Sequence, residues 1–356
     1  MVGDNNAWVQ LWPENGLENI EICPICGERD RKCIYTELYD RVFFCAPGRW
    51  TLYQCNMCGS AYLDPRPTMA TIGMAYQKYF THESGSIPDY YSLSLHGKIR
   101  RIMANGYRNW RFGSNYRPST FLGVIASVLL PKQIRGLDAH MRHLPKNGKG
   151  RSLLDFGCGN GEFVSRAKDA GWLPIGMDMD PEAVRVAQNN GLNVYLGGTD
   201  KIAILDMEFD VITLSHVIEH VHDPGQLLRT CYRCLKPGGF LWIETPNFNS
   251  QGHGIYGRNW RGLEPPRHLV IFTSNSLHRL LKDVGFHRIH HQKENPVLPM
   301  VFGASEAIQE GDDPLLSWKK WTQKKGKQWH KYIKIAKKNY QVREFVTLTA
   351  YKPMEL

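Results

Sequence analysis

Between residues 149 and 294, short apolar runs alternate with stretches of helical period. Ser152–Phe156 is an apolar strand. Glu162–Ala170 places its apolar residues at helical spacing and stops at Gly171, the residue type that closes a helix. Leu173–Met177 is a second strand, after which Asp180 caps a helix that starts with Pro181 and ends at Gly191. Asn193–Leu196 and Phe209–Leu214 supply strands three and four. Asp223 and Pro224 open a helix that runs into Lys236-Pro237-Gly238-Gly239, and Phe240–Glu244 is strand five. Ser274 caps a helix closed by Gly285, and His287–His291 is strand six. Glu344–Tyr351, with Phe345, Thr347, Thr349 and Tyr351 alternating, is strand seven. Strand–helix alternation of this kind predicts an α/β fold: a Rossmann-like, seven-stranded, doubly wound sheet.

The flanking segments have other patterns. Residues 18–66 hold two CxxC pairs among Gly, Pro and aromatic residues, as in a zinc ribbon, and residues 67–148 read as a mainly helical connector. The expected order is therefore ribbon, connector and a catalytic domain over 149–356, with an insertion at about 295–340 between strands six and seven. The longest apolar run, Phe121–Leu130, is too short to span a bilayer. Met1–Gln10 has neither a basic start nor an apolar core, so a cytoplasmic protein is expected.

Charge changes this picture at one place. The net charge is +10, yet Pro314–Tyr340 alone carries nine lysines and no Asp, Glu or Arg, which leaves about +1 for the rest. A local basic segment suggests contact with an anionic lipid surface, a nucleic acid or an acidic partner, or else a solvated helix face. Within Lys319–Lys338 the lysines interleave with Trp321, Trp329, Tyr332 and Ile335, a composition able to lie on an anionic membrane.

The nine cysteines include Cys23, Cys26, Cys55 and Cys58, paired as two CxxC knuckles each followed by glycine. Four thiolates make a closed tetrahedral Zn2+ site, which has no open position for water and is structural. Cys33 and Cys45 lack partner spacing, and Cys231 and Cys234 lie on a helix beside Leu227, Leu228 and Leu235, as a buried stripe would.

The loop after strand one reads Asp155-Phe156-Gly157-Cys158-Gly159-Asn160-Gly161. Glycines here allow a tight turn and close ligand approach. The dinucleotide pattern G-x-G-x-x-G would place its third glycine at Glu162, where an acid would oppose a pyrophosphate. A nucleoside without phosphate, such as S-adenosylmethionine (SAM), avoids that conflict. Asp178, at the end of strand two, can accept hydrogen bonds from both ribose hydroxyls, and Met179 can lie against an adenine. Asp155 can hold the loop or face a cationic methionine moiety.

With L-D-F-G-C-G-N-G at 154–161, G-M-D-M-D-P at 176–181, F-D-V-I-T-L-S-H-V-I-E-H-V at 209–221 and L-K-P-G-G at 235–239, the chain resembles class I SAM-dependent methyltransferases over about residues 150–290. The resemblance implies SAM as cofactor, with Ser215 and His216 beside its methionine part. The ribbon, with Leu63-Asp64-Pro65-Arg66-Pro67-Thr68 and then Tyr76, Tyr79, Thr81 and His82, resembles the N-terminal modules of bacterial sugar and glycan methyltransferases. The match is looser and suggests only a substrate class.

Methyl transfer needs alignment of nucleophile and methyl, and a base for a hydroxyl acceptor. Two clusters offer one: His216, Glu219, His220 and His222 after strand four, and Arg258–His268 after strand five. His268 is the first choice for base and His216 the second, with capping or supporting roles as the plainer alternative. In the second cluster Trp260 could stack on a sugar and the arginines could bind a phosphate or carboxylate. No N/D-P-P-Y/F motif follows strand four and no Pro-Cys pair occurs, which favours an oxygen acceptor, or a carbon on a sugar. An RNA methyltransferase is disfavoured, because residues 18–66 hold six basic side chains against seven acidic ones. A non-catalytic SAM-binding or membrane-docked scaffold is the remaining alternative.

Overall fold

The structure is a computed structural model that describes residues 10–76, 91–129, 131–146, 148–202, 207–293 and 296–354. Tyr79, Thr81 and His82 lie outside the described residues, as do residues 1–9. Strands β1 (Leu17–Glu18), β2 (Arg31–Leu38), β3 (Trp50–Cys55), β4 (Ala61–Leu63) and β5 (Arg66–Pro67) precede helices α1 (Leu95–Phe112), α2 (Leu122–Leu129) and α3 (Pro131–His140). Strand and helix then alternate through β6 (Ser152–Phe156), α4 (Glu162–Asp169), β7 (Leu173–Asp178), α5 (Pro181–Asn189), β8 (Val194–Leu196), α6 (Thr199–Ile202) and β9 (Phe209–Ser215). They continue through α7 (Pro224–Cys234), β10 (Leu235–Pro246), α8 (Gln251–Tyr256), β11 (Val270–Ile271), α9 (Ser274–Val284) and β12 (His287–His291). Helices α10 (Leu298–Glu310), α11 (Pro314–Lys325) and α12 (His330–Lys338) precede β13 (Phe345–Tyr351).

Seven strands form one sheet in the order β12-β13-β10-β9-β6-β7-β8, with β9, β6, β7 and β8 parallel. This is the Rossmann-like α/β sheet the hydrophobic pattern predicts. Three details differ from the expectation. Strand β10 starts at Leu235, because the Gly238 N–H donates to the Lys352 carbonyl and the Lys352 N–H to that of Gly239, which draws the L-K-P-G-G turn into the ladder. Thr273, not Ser274, caps α9, in a reciprocal box with Ser276. The centre of β13, Val346–Ala350, is buried on both faces, so its alternation does not mark a solvent side.

The chain divides into two compact units that interleave in sequence. One comprises residues 80–215, 233–242 and 351–356. Its core joins Leu153, Phe163, Trp172, Val211 and Trp242 to Tyr107, Phe112, Met141 and Leu144, so α1 and the segment after α3 close the face of the α/β layer. At the crossing of α1 and α2 a Cβ on Gly106 would stand 1.8 Å from the Thr120 carbonyl oxygen, which only glycine permits.

The other unit comprises residues 1–79, 216–232 and 243–350. The cysteine-bearing strands do not form a free-standing module. They make a four-stranded sheet in the order β11-β4-β3-β2, whose outer strand β11 pairs antiparallel with β4, Ile271 opposite Ala61. Trp12, Trp50, Leu52 and Leu63 share one core with Phe248, Trp260, Phe302 and Trp329. A buried ion pair ties the same segments. The Arg267 guanidinium, fully enclosed, reaches Asp40 Oδ1 at 2.5 Å, Glu264 Oε1 at 3.0 Å and the Ala75 carbonyl at 2.8 Å. Asp40 also accepts the N–H groups of Val42, Phe43, Cys45 and Ala46. Burial works against charge on both partners, but mutual attraction and these hydrogen bonds hold the Asp40 carboxyl below its ordinary range and Arg267 above its own.

Asp40→Ala takes one of its two carboxylate partners from a buried guanidinium and the acceptor from four N–H groups. The expected loss is about 3–5 kcal/mol, read as a shift in the denaturant midpoint. A loss near zero would show that the pair does not hold the unit together.

Candidate functional site

In the first unit, the turn after β6 is built as a ligand cradle. Gly157, Gly159 and Gly161 all have positive φ, and a Cβ on Gly161 would press to 2.6 Å against Leu192. Asp178, at the end of β7, accepts the Gly159 N–H at 2.7 Å on one oxygen and the Asp180 N–H at 2.9 Å on the other. Burial nonetheless raises its carboxyl above the ordinary value. Met179 is exposed, and Cys158 is buried with its thiol pushed up by burial. Ser215 ends β9, half-buried.

Asp155 is wholly buried. Its Oδ1 bonds the Arg142 guanidinium and the Thr213 hydroxyl, the latter at 2.9 Å, and Arg142 also donates to Thr213 at 2.7 Å. Its Oδ2 is buried with no hydrogen-bond partner. A buried carboxylate oxygen left open calls for a cationic or donor group. The α-ammonium of a SAM methionine moiety is such a group, and each Asp178 oxygen, with one N–H already bound, keeps a lone pair for a ribose hydroxyl, so the residues present fit SAM. Arg142 was not visible from the sequence: it sits at φ +47 just beyond α3, and nothing in its local spacing points to Asp155.

The second unit takes up the chain again at His216, the residue after β9, and brings together the four residues singled out as candidate acids and bases. His216 has φ +54, and its N–H donates to the Glu244 carbonyl. Its ring lies between two carboxylates, Nδ1 3.2 Å from Glu219 Oε1 and Nε2 3.7 Å from Glu244 Oε1, with 37% of the side chain exposed. Burial disfavours charge on this ring, but the two carboxylates outweigh it and raise its pKa. Glu219 is wholly buried. Against the effect of burial, hydrogen bonding from His216 and the nearby rings lower it to about 2. The Thr245 hydroxyl donates to its Oε2 at 2.8 Å. His220 and His268 rings meet edge to face, 4.9 Å apart. His268 is 5% exposed, and burial pulls it down to about 4. Glu244 was missed in the sequence because it lies at the end of a strand that reads as continuous apolar core.

The 258–268 segment departs from its expected role. Trp260 does not offer a stacking face: it is 2% exposed and its indole N–H donates to Glu344 Oε2 at 3.0 Å. Arg267 is consumed by Asp40 and Glu264, Arg261 pairs with Glu264, and Arg258 donates to the Thr36 carbonyl. Trp260, Arg261 and Arg267 are turned inward, because the acids that pair with them are supplied by the chain itself, whereas Arg258 stays exposed.

The four cysteines converge as expected. All four Sγ atoms lie within 4.8 Å of one another, with Cys23–Cys58 at 3.7 Å and Cys26–Cys55 at 3.6 Å. Thiolates 2.3 Å from one tetrahedral ion stand about 3.8 Å apart, so the donor set fits a metal of zinc's kind. Each knuckle turns through a positive-φ glycine, Gly27 or Gly59, whose N–H bonds back to the first cysteine. Hydrogen bonding from Cys23 draws the Cys58 thiol down to about 5, while burial pushes Cys26 up to about 11. Cys33 is exposed and Cys45 and Cys231 are buried.

The lysine segment forms α11 and α12, and three of its aromatic residues turn inward. Trp321 and Trp329 are 5% and 4% exposed, and Tyr332 packs on the same core as Trp329. Three of the four residues of the apolar anchor expected for membrane insertion are thus spent inside the unit, while Ile335 is exposed and a lysine face remains. No helix among the described residues is long and apolar enough to cross a membrane.

Residues 130–291 match the family model of a methyltransferase domain. This segment is a class I SAM-dependent methyltransferase domain, as the glycine loop and Asp178 indicate. Among curated proteins, the chain is 30% identical over 165 residues to a ubiquinone biosynthesis O-methyltransferase of Pseudomonas fluorescens (strain Pf0-1), covering 44% of this chain and 66% of that protein. It is 35% identical over 163 residues to the protein of the same name from Pseudomonas putida strain F1, covering 44% and 65%. The match thus spans just under two thirds of each relative. A solved SAM-dependent methyltransferase from Archaeoglobus fulgidus aligns at 19% identity and a TM-score of 0.40, over 65% of this chain and 100% of that one, too distant to bear on function.

Proposed function

We propose that this chain transfers a methyl group from SAM to a hydroxyl oxygen of a small molecule. The observation that carries the proposal is the pairing of two acids at the glycine loop: Asp155 with a buried, unpartnered Oδ2, and Asp178 held by the loop's Gly159 N–H and by the Asp180 N–H. Bound SAM would supply the electrophilic methyl. Gly157, Cys158, Gly159 and Gly161 shape its cradle, and Met179 and Ser215 flank it. The names of the relatives support oxygen as the acceptor atom. The likeness of the cysteine ribbon to those of sugar and glycan methyltransferases makes a sugar hydroxyl, free or on a nucleotide sugar or glycan intermediate, the first acceptor to test.

His216 is the base we assign for the acceptor's proton, ahead of His268. Glu219 orients its Nδ1, and more than a third of its side chain is open, whereas His268 is enclosed. The four cysteines we assign to a structural Zn2+, and the lysine face to an anionic surface such as the inner face of a membrane. Cys55→Ser is expected to lose the cysteine-held ion in metal analysis and to lower thermal stability; retention of a full equivalent of zinc would show that the cysteines are not its ligands.

Calorimetry with SAM checks the cofactor. Wild type should bind, and Asp178→Ala should bind about 10- to 100-fold more weakly, given about 1.5–3 kcal/mol for hydrogen bonds to a charged group. Folded wild type that gives no binding by two methods would overturn the proposal. Once an acceptor is found, His216→Ala should cut kcat by about 10²- to 10⁴-fold and leave SAM affinity unchanged. An unchanged kcat would place the base elsewhere.

A further inference from the structure

We propose that Glu219, His220 and His268 form a second metal site, for a divalent transition-metal ion, distinct from the four-cysteine cluster. One ligand atom from each of the three lies within 4.8 Å of the other two. Two imidazoles and one carboxylate are a donor set that suits zinc, iron, cobalt or manganese and leaves coordination positions open; magnesium and calcium prefer all-oxygen sites.

The tautomers are set for this. His220 Nδ1 lies 2.9 Å from the Arg267 carbonyl, and His268 Nδ1 lies 2.8 Å from the Gly262 carbonyl. A carbonyl oxygen only accepts, so each Nδ1 carries the hydrogen and each Nε2 presents a lone pair. An Nδ1–H bonded to a backbone carbonyl is the support that metal-binding histidines characteristically have. The Tyr76 hydroxyl, 3.0 Å from His220 Nδ1, further fixes that ring.

The carboxylate is held in the same way. Glu219 is wholly buried, and no Lys or Arg pairs with it among the described residues. Its partners are His216 on Oε1 and the Thr245 hydroxyl on Oε2, each of which leaves a lone pair on the oxygen it touches. Buried carboxylates are matched by cations or metals. The neighbouring acid, Glu264, is already neutralised by Arg261 and Arg267, so positive charge supplied by this protein's side chains does not reach Glu219 from that side. The backbone clamps the two ligand segments together, with the Leu269 N–H donating to the Glu219 carbonyl at 2.8 Å. Ligands about 2.1 Å from a shared ion stand about 3–3.5 Å apart, so any of the three pairs wider than that closes as the ion binds. The remaining positions would take water or an oxygen of a ligand.

The site is read by metal binding alone, so its test is independent of methyl transfer. The full chain, zinc-loaded at its cysteines, is titrated with Co2+. The expected result is one further equivalent bound, with weak visible d–d absorption and no thiolate charge-transfer band. Glu219→Gln and His220→Asn should each lose that equivalent and keep the cysteine-held zinc; the partly exposed His220 is the variant less apt to disturb folding. Wild type that takes up no second equivalent at millimolar Co2+, or whose added cobalt shows only thiolate charge-transfer bands, would overturn the proposal. So would variants that fold, keep their zinc and bind the second equivalent unchanged.

Discussion

The unit that carries the cysteines and the histidine cluster depends on one buried charge. Arg267 has no exposed surface, and its guanidinium donates to Asp40, Glu264 and the Ala75 carbonyl. Asp40 in turn gathers four backbone N–H groups, which shapes the loop after β2. A charge this enclosed is tolerated only if its partners are placed to within a few tenths of an ångström. That constraint fixes the segment 264–268 against the N-terminal strands. It thereby fixes the neighbouring His268 and the carbonyl of Arg267 itself, on which His220 rests.

The chemistry-bearing residues fall into two groups that are joined in the chain but differ in character. The glycine loop group is mostly backbone: N–H donors, positive-φ glycines and two acids, one of which keeps an unpartnered oxygen. The His216 group is mostly side chain: three imidazoles and two buried carboxylates, drawn from the segments after β9, the end of β10 and the residues before β11. The first suits recognition of a fixed cofactor. The second suits the handling of a proton or of a Lewis acid, where small changes in occupancy alter the charge.

The sheet and the cofactor loop were legible because their signals are local. Strand length, helix caps and the spacing of glycines lie within ten or so residues, and β6 and β12 fall where the pattern puts them. The cysteine cluster was legible because a thiolate pair has few other uses at that spacing. What the sequence concealed is pairing at long range. Arg142 reaches Asp155 and Thr213 from an irregular turn, and Glu244 sits at the end of an apolar strand. Trp260, Arg261 and Arg267 look like a binding patch, because exposure and burial of such residues cannot be told from composition alone. The tryptophans of the lysine helices misled for the same reason: an amphipathic helix presents the same pattern to a membrane and to its own core.

Strand β11 completes the N-terminal sheet from more than two hundred residues downstream, since Ala61 pairs with Ile271. During synthesis at about 5–20 residues per second, the edge of β4 therefore waits roughly 10–40 s for its neighbour. In that interval the cysteine knuckles can take a metal, because all four lie upstream, while the hydrophobic face formed by Trp12, Trp50 and Leu63 has no cover. An unpaired edge beside uncovered tryptophans is the kind of surface that recruits other chains. The growing polypeptide thus has its greatest exposure to misassembly, and its greatest need of a chaperone, before the last third has left the ribosome.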